Sequence, residues 1–103
     1  MKKFIFTLQA LLNVKIALEK QRKAELAAAN ARLDELNREL SALEARLEAQ
    51  LAEYRDKGGH ARELATRHQG FETMYALVDS QRESVKVAEG ERDRVRRLLS
   101  DTM

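Results

Sequence analysis

The chain contains no cysteine and no proline, and only four of its 103 residues are glycine. Without cysteine, disulfide bonds and thiolate metal sites are excluded, which is compatible with a reducing cytosol. Only five residues are aromatic, whereas 35% are charged. This composition favours an extended helical molecule with a large surface over a globule with a large core.

Long apolar runs are also missing, since no stretch approaches the roughly 18 apolar residues of a membrane span. We therefore expect no direct insertion into a membrane. The first six residues resemble the opening of a signal peptide. Gln9, Asn13 and Lys15 interrupt the apolar run that follows, and no cleavage site with small residues comes after it. We expect no secretion signal.

A leucine repeat dominates the first half of the chain, with one leucine every three or four residues and no glycine between them. The positions are Leu26, Leu33, Leu36, Leu40, Leu43, Leu47 and Leu51. This spacing places an apolar stripe of period 3.5 along one side of a helix and predicts a coiled-coil seam. A long helix of this kind offers no closed pocket, so we expect a protein that is not an enzyme.

The predicted fold is all-α: an antiparallel two-helix coiled-coil hairpin with a long first helix, forming a single domain over residues 1–103. Helix 1 is expected at about 3–57, the turn at about 58–60 and helix 2 at about 61–100. Fifty-five residues at ~1.5 Å each give a first helix of roughly 80 Å. Gly58 and Gly59 end it. A capping-box pattern at 66–69 would instead start helix 2 at Arg67.

Helix 2 repeats the seam with apolar residues at three-four spacing, namely Leu64, Phe71, Met74, Val78, Val85, Ala88, Val95 and Leu99, and with polar seam positions at Arg67, Gln81 and Arg92. A short turn makes the two helices antiparallel neighbours, so Leu40 is expected to face Val78. Gly70 and Gly90 each cost ~1 kcal/mol relative to alanine and make helix 2 the weaker partner.

Helix 2 should end opposite about residue 20, which leaves the apolar residues at the start of helix 1 uncovered. They are Phe4, Ile5, Phe6, Leu8, Leu11, Leu12, Val14, Ile16 and Leu18. Their register is shifted by one residue from that of the seam. The seam itself, projected backwards from Leu26, would place Lys15, Glu19 and Arg22 on the side that faces the other helix. An uncovered stripe of this size indicates a binding surface, a homo-oligomer contact or a missing piece of chain.

Positive charge is concentrated at the same end, because residues 1–24 carry six Lys or Arg against one Glu. We call a group of seven cations at this end the cationic collar; it consists of Lys20, Arg22 and Lys23 on helix 1 and of Arg92, Arg94, Arg96 and Arg97 on helix 2. The collar indicates either a solvated helix end or docking to an acidic partner. Nucleic acid is not expected, because no aromatic residues alternate with the basic ones.

Other charged and titratable residues do not form a recognisable chemical site. His68 and Glu72, like His60 and Glu63, have helical spacing, but neither pair has a third ligand nearby, so we expect no metal and no cofactor. No catalytic constellation is present. Three charge pairs, Asp34/Arg38, Glu53/Lys57 and Asp93/Arg97, have the i, i+4 spacing of ordinary helix ion pairs.

Three sequence segments resemble the FliJ family of flagellar export proteins. They are the N-terminal element Phe4-x-Phe6-x-Leu8-Gln9-x-Leu11-Leu12-x-Val14-Lys15 followed by Glu19, the tripeptide Glu53-Tyr54-Arg55, and the spacing Leu64…Phe71-x-x-Met74-x-x-x-Val78. The resemblance covers essentially the whole chain, and the N-terminal element is its most specific part. Members typically extend the second helix further, enough to cover residues 4–18.

The resemblance implies an antiparallel hairpin, similar to the stalk of rotary ATPases, that inserts its paired end into the ring of the flagellar export ATPase. Carried over by position, the ATPase contact comprises Phe4, Phe6, Leu8, Leu11, Leu12, Lys20, Arg22, Lys23, Arg94, Arg96 and Arg97. A contact with the export-gate membrane protein near the tip comprises Leu47, Gln50, Tyr54, Gly70 and Met74. Gln50 and Gly70 stand where some members have aromatic residues.

The expected function is therefore a non-enzymatic stalk or adaptor of flagellar type III protein export. The resemblance implies that it acts in bacterial flagellum biogenesis and motility, with export chaperones as further partners. It implies a cytoplasmic location, peripheral to the inner face of the cell membrane at the flagellar base. Two alternatives stay open: the equivalent stalk of a virulence secretion system, and an architectural coiled coil that homo-oligomerises through its N-terminal stripe.

Overall fold

A computed structural model describes residues 2–57 and 61–103 of the chain, with side chains at 2–55 and 69–103. These residues form two α-helices, α1 (Lys2–Lys57) and α2 (Ala61–Thr102). The predicted fold, an antiparallel two-helix coiled-coil hairpin with a longer first helix, is confirmed. Helix α2 begins at the earlier of the two predicted starts, and the predicted turn lies outside the described residues.

Two compact units contain these helices: unit 1 comprises Met1–Leu33 and Ala88–Met103, and unit 2 comprises Asp34–Val87. Each unit therefore contains a part of α1 and a part of α2. The single domain over residues 1–103 stays a prediction.

Unit 2 contains the predicted seam in its most regular form. Leu36, Val78 and Val85 are buried, and only 1% of the Val78 surface reaches solvent. Further seam positions are half-buried, as the three-four spacing predicts, and these are Leu40, Leu43, Leu47, Leu51, Tyr54, Phe71 and Met74. The intervening residues are exposed, so the helices pack along one narrow stripe, as coiled coils do.

Contacts between the two helices of unit 2 establish their antiparallel direction. The side-chain amide of Gln81 donates to the carbonyl oxygen of Leu36 and to the Glu39 carboxylate, at 3.1 Å each. Near the other end of the unit, the Tyr54 and Phe71 rings meet edge to face at 5.5 Å. Gln81 thus occupies its predicted polar seam position with both bonds satisfied, which favours one register over its alternatives.

Unit 1 has a sparser seam. Leu33 and Val95 are its buried residues among those described. Half-buried positions follow the predicted pattern and include two arginines: Arg22, Leu26, Ala29, Ala88, Arg92 and Leu99. Residues 2–18 are exposed throughout, which confirms that the start of α1 lacks a covering helix within this unit. A seam with charged and small residues buries less apolar area than a leucine seam, so unit 1 should be the less stable part.

We predict that Leu36→Ala lowers the free energy of unfolding by about 2–5 kcal/mol, because it removes a buried side chain from the seam. Leu77→Ala is the matched control, since Leu77 is 50% exposed whereas Leu36 is 6% exposed. Urea denaturation followed by circular dichroism measures both variants. Equal destabilisation by the two substitutions would contradict the observed seam.

We further predict that Gly70→Ala and Gly90→Ala each raise the free energy of unfolding by up to ~1 kcal/mol, because alanine is the better helix former. Neither new methyl group meets an atom within 4 Å. The reverse substitution at an exposed site, Ala76→Gly, should lower stability by a similar amount. Thermal melts compare the three variants, and a loss of stability on either glycine replacement would show that the glycine is required for packing.

Candidate partner-docking surfaces

The uncovered start of α1 forms the largest exposed apolar surface among the described residues. We call it the N-terminal apolar face; its nine side chains, each 37–74% exposed, are Phe4, Ile5, Phe6, Leu8, Leu11, Leu12, Val14, Ile16 and Leu18. The helix persists here without proline or glycine, and a side-chain bond one turn apart supports it, in which Gln9 Nε2 donates to Asn13 Oδ1 at 3.1 Å. Because exposing so much apolar surface to water is unfavourable, this face should associate with another apolar surface.

The cationic collar lies in unit 1 and divides into paired and unpaired members. Arg22 Nη1 lies 3.0 Å from the Glu25 carboxylate, and Arg94 forms a two-bonded pair with Glu91 on the same helix. Arg92 donates two bonds, of 3.0 and 3.1 Å, to its neighbour Asp93.

The remaining four collar cations form no ion pair in the part of the chain that the structure describes. They are Lys20, Lys23, Arg96 and Arg97, and all four are exposed. An exposed cation without a carboxylate partner retains its full charge for attracting an acidic surface, whereas a paired one has its field partly cancelled. Of the seven collar cations, these four are therefore the ones whose charge is not offset by a carboxylate within the described residues.

The paired carboxylates titrate differently from free ones. The hydrogen bond from Arg22, followed by the bond from Gln21, lowers the pKa of Glu25 below its ordinary value. The hydrogen bond from Arg94 lowers the pKa of Glu91 in the same way, and it raises the pKa of Arg94 itself. The charge of Glu25 on α1 adds the smallest contribution to the rise in the pKa of Arg94.

One buried polar atom of the collar has no hydrogen-bond partner among the described residues. The Nε atom of Arg22 is buried without a hydrogen bond, although the guanidinium end reaches Glu25. A buried donor without an acceptor destabilises the folded state. Arg22 occupies the place that the backward projection of the leucine seam gave it, and its charge weakens the seam there.

The residues carried over for the export-gate contact lie in unit 2 and are mostly part of its seam. Leu47, Tyr54 and Met74 are half-buried, and the Tyr54 ring packs edge to face on Phe71. Gln50 and Gly70 are exposed. Gln50 and Gly70 are therefore the members of this set that are most accessible to a partner from solvent.

Two of the three predicted i, i+4 ion pairs are absent. Arg97 does not pair with Asp93, which binds Arg92 instead, and Arg38 donates to the carbonyl oxygen of Asp34 at 3.4 Å rather than to its carboxylate. The third, Glu53/Lys57, includes a side chain outside the described residues. Among competing pairs worth a few tenths of a kcal/mol, roughly 0.2–0.5 each, spacing alone does not select the partner. For this reason the sequence analysis did not predict the two i, i+3 pairs, Arg22–Glu25 and Glu91–Arg94.

No arrangement for metal binding is found in the described part of the chain, where no group of three or more His, Asp or Glu side chains could hold an ion. The side chains of His60 and His68, the only histidines, lie outside it.

We predict that acid destabilises the hairpin partly through Glu25 and Glu91. Because their pKa values are lowered in the folded state, their contribution is fully present above the ordinary carboxyl value of 4.5 and is lost as pH falls through the lowered values. The double variant Glu25→Gln/Glu91→Gln should therefore have a flatter dependence of melting temperature on pH below 4.5. Glu83→Gln, at an exposed site with no ion pair, is the control, and an equal change in both would contradict the assignment.

Among the described helices, none is long and apolar enough to cross a membrane. Searches against protein-family models, curated proteins and solved structures found no match to this chain.

Proposed function

We propose that this protein is a non-enzymatic stalk or adaptor of the flagellar type III protein export apparatus. In this proposal unit 1 enters the ring of the export ATPase, and the surface around Gln50 and Gly70 meets the export-gate membrane protein. The chain contributes no catalytic group and takes no cofactor. It works in the cytoplasm at the inner face of the cell membrane, where export chaperones are further partners.

The observation that carries the proposal is the combination, in one unit, of four unpaired cations and an uncovered apolar face. Cations without partners attract an acidic surface from a distance, and apolar side chains stabilise the complex once water is expelled. Both features suit a protein that docks through its surface. The sequence resemblance to the FliJ family supplies the identity of the partner, and the hairpin fold is the one which that resemblance implies.

An architectural role is the second candidate, favoured by the same N-terminal apolar face. Two or more copies could cover these side chains against one another and leave no surface for an ATPase. The two candidates differ in a simple measurement. An adaptor should be monomeric at micromolar concentration and bind the ATPase, whereas an architectural coiled coil should be a stable oligomer in light scattering and should not bind it.

We predict that changing Lys20, Lys23, Arg96 and Arg97 together to Gln lowers affinity for the export ATPase of the same organism and flattens its salt dependence. Screening shortens the reach of exposed charges from ~10 Å at 0.1 M salt to ~3 Å at 1 M, so the wild-type affinity should fall steeply over that range. Calorimetry at several salt concentrations measures both effects, and stimulation of ATP turnover should fall with affinity.

The matched control is Glu91→Gln/Arg94→Gln, which removes both members of an ion pair within the chain and so leaves the net charge unchanged. It should change affinity much less than neutralising two of the unpaired cations, Arg96→Gln/Arg97→Gln. Equal losses in the two double variants would show that pairing does not decide which cations dock. Absence of any binding between the wild-type chain and the ATPase would refute the proposed function itself.

A further inference from the structure

We propose that residues 2–18 lie along the surface of an anionic lipid membrane when no protein covers them. The segment contains three lysines (Lys2, Lys3 and Lys15) and no carboxylate, since the first acidic residue of the chain is Glu19. It also carries the N-terminal apolar face. A cationic amphipathic helix with phenylalanine and leucine on its apolar side is typical of helices that bind in the membrane interface.

The width of the apolar face distinguishes a lipid surface from a single partner helix. At ~100° of rotation per residue, eight of the nine side chains fall within about 200° of the helix circumference, with Phe6 outside that arc. A coiled-coil partner covers only a narrow stripe, as the seam of unit 2 shows. One added helix would therefore leave much of this face in water, whereas a bilayer interface accepts a wide face and needs no matching knobs and holes.

Two of the three lysines flank the apolar arc, as expected for a helix lying in a membrane interface. On the helix circumference Lys2 and Lys3 fall just outside the opposite edges of the apolar arc, about 40° and 20° from the nearest apolar side chain. In a helix lying parallel to the surface, both ammonium groups would reach the headgroup level. Lys15 falls at the centre of the arc, so its ammonium group keeps the face at the headgroup level and limits how deeply it enters, while the aliphatic stem follows the apolar surface.

Charge also argues against a second copy of the chain as the occupant. Residues 1–24 carry a net charge of +5, so two apolar faces packed together would place like charges side by side. An anionic lipid surface has the opposite sign and attracts each lysine near it. The absence of a membrane-spanning helix among the described residues is compatible with this inference, since the segment lies on the surface and does not cross it.

The test uses tryptophan as a reporter, because the chain contains none. Phe4→Trp places it on the apolar face at a site 68% exposed, and Tyr75→Trp is the matched aromatic control on α2, 47% exposed. Vesicles of phosphatidylglycerol and phosphatidylcholine should shift the emission of Phe4→Trp to the blue and permit quenching by brominated lipid. The control should not change. Vesicles of phosphatidylcholine alone should bind much more weakly.

Two further variants separate the apolar and electrostatic contributions in vesicle flotation. Leu8→Ser/Leu11→Ser should weaken binding by about tenfold or more because it removes buried apolar surface. Leu77→Ser/Val87→Ser, at exposed apolar sites on α2, should leave binding unchanged. Lys2→Gln/Lys3→Gln should weaken binding, whereas Lys86→Gln, an exposed lysine on α2, should have little effect.

Three results would overturn the inference: no binding to anionic vesicles at low salt, binding unaffected by Leu8→Ser/Leu11→Ser, or a blue shift of Phe4→Trp that grows with protein concentration without lipid. The last would identify a second copy as the occupant. If the segment binds an acidic protein and not lipid, the vesicle assay will show no binding, which is the first of these results. The inference does not depend on the proposed function, since the vesicle assays contain no export ATPase. Lipid binding can therefore fail while ATPase binding holds, and the reverse.

Discussion

The apolar seam between α1 and α2 is the interaction on which the rest of the structure depends. Isolated helices are marginal in water, and most helical stability in proteins comes from packing an apolar stripe. Here that packing centres on five buried side chains among those described: Leu33, Leu36, Val78, Val85 and Val95. They lie on the three-four repeat of their helices, and each is buried where the other helix covers that stripe. Gln81 adds direction and register through its bonds to α1.

The uncovered apolar face follows from where the seam stops. Helix α1 has 56 residues and α2 has 42, and the leucine seam of α1 gives way to a shifted register before Leu26. The nine side chains of the N-terminal apolar face are as apolar as those of the seam, but α2 does not cover them. The same sequence property, a run of apolar residues on a helix, thus stabilises the hairpin in one place and remains available for binding in another.

The seam and the uncovered face could be predicted from the sequence because both depend on a strong periodic signal. The polar seam positions Gln81 and Arg92 followed from the same period, and Gln81 is now seen to be satisfied by Leu36 and Glu39. Where competing interactions have similar energy, the sequence did not determine which ion pair forms. Asp93 has four arginines within four residues along the chain, and it binds Arg92 rather than Arg97.

The division of the collar into paired and unpaired cations required side-chain geometry for the same reason. Charge counts gave seven cations at one end of the predicted hairpin, but they did not show that Glu25, Glu91 and Asp93 form ion pairs with three of them. The chemistry of a surface defines the charges and apolar groups that a partner must offer, and it does not by itself identify that partner. Several acidic, apolar surfaces would satisfy the same requirement.

The central claim is that the N-terminal apolar face is uncovered in the free chain and therefore available to a partner. Hydrogen–deuterium exchange with mass spectrometry tests it most directly, at a concentration where light scattering shows a monomer. Amides of residues 4–18 should exchange much faster than those around Leu36 and Val78, because a single uncovered helix opens more easily than a packed one. Equal protection of the two regions in a monomer would mean that the face is already covered and would contradict the account.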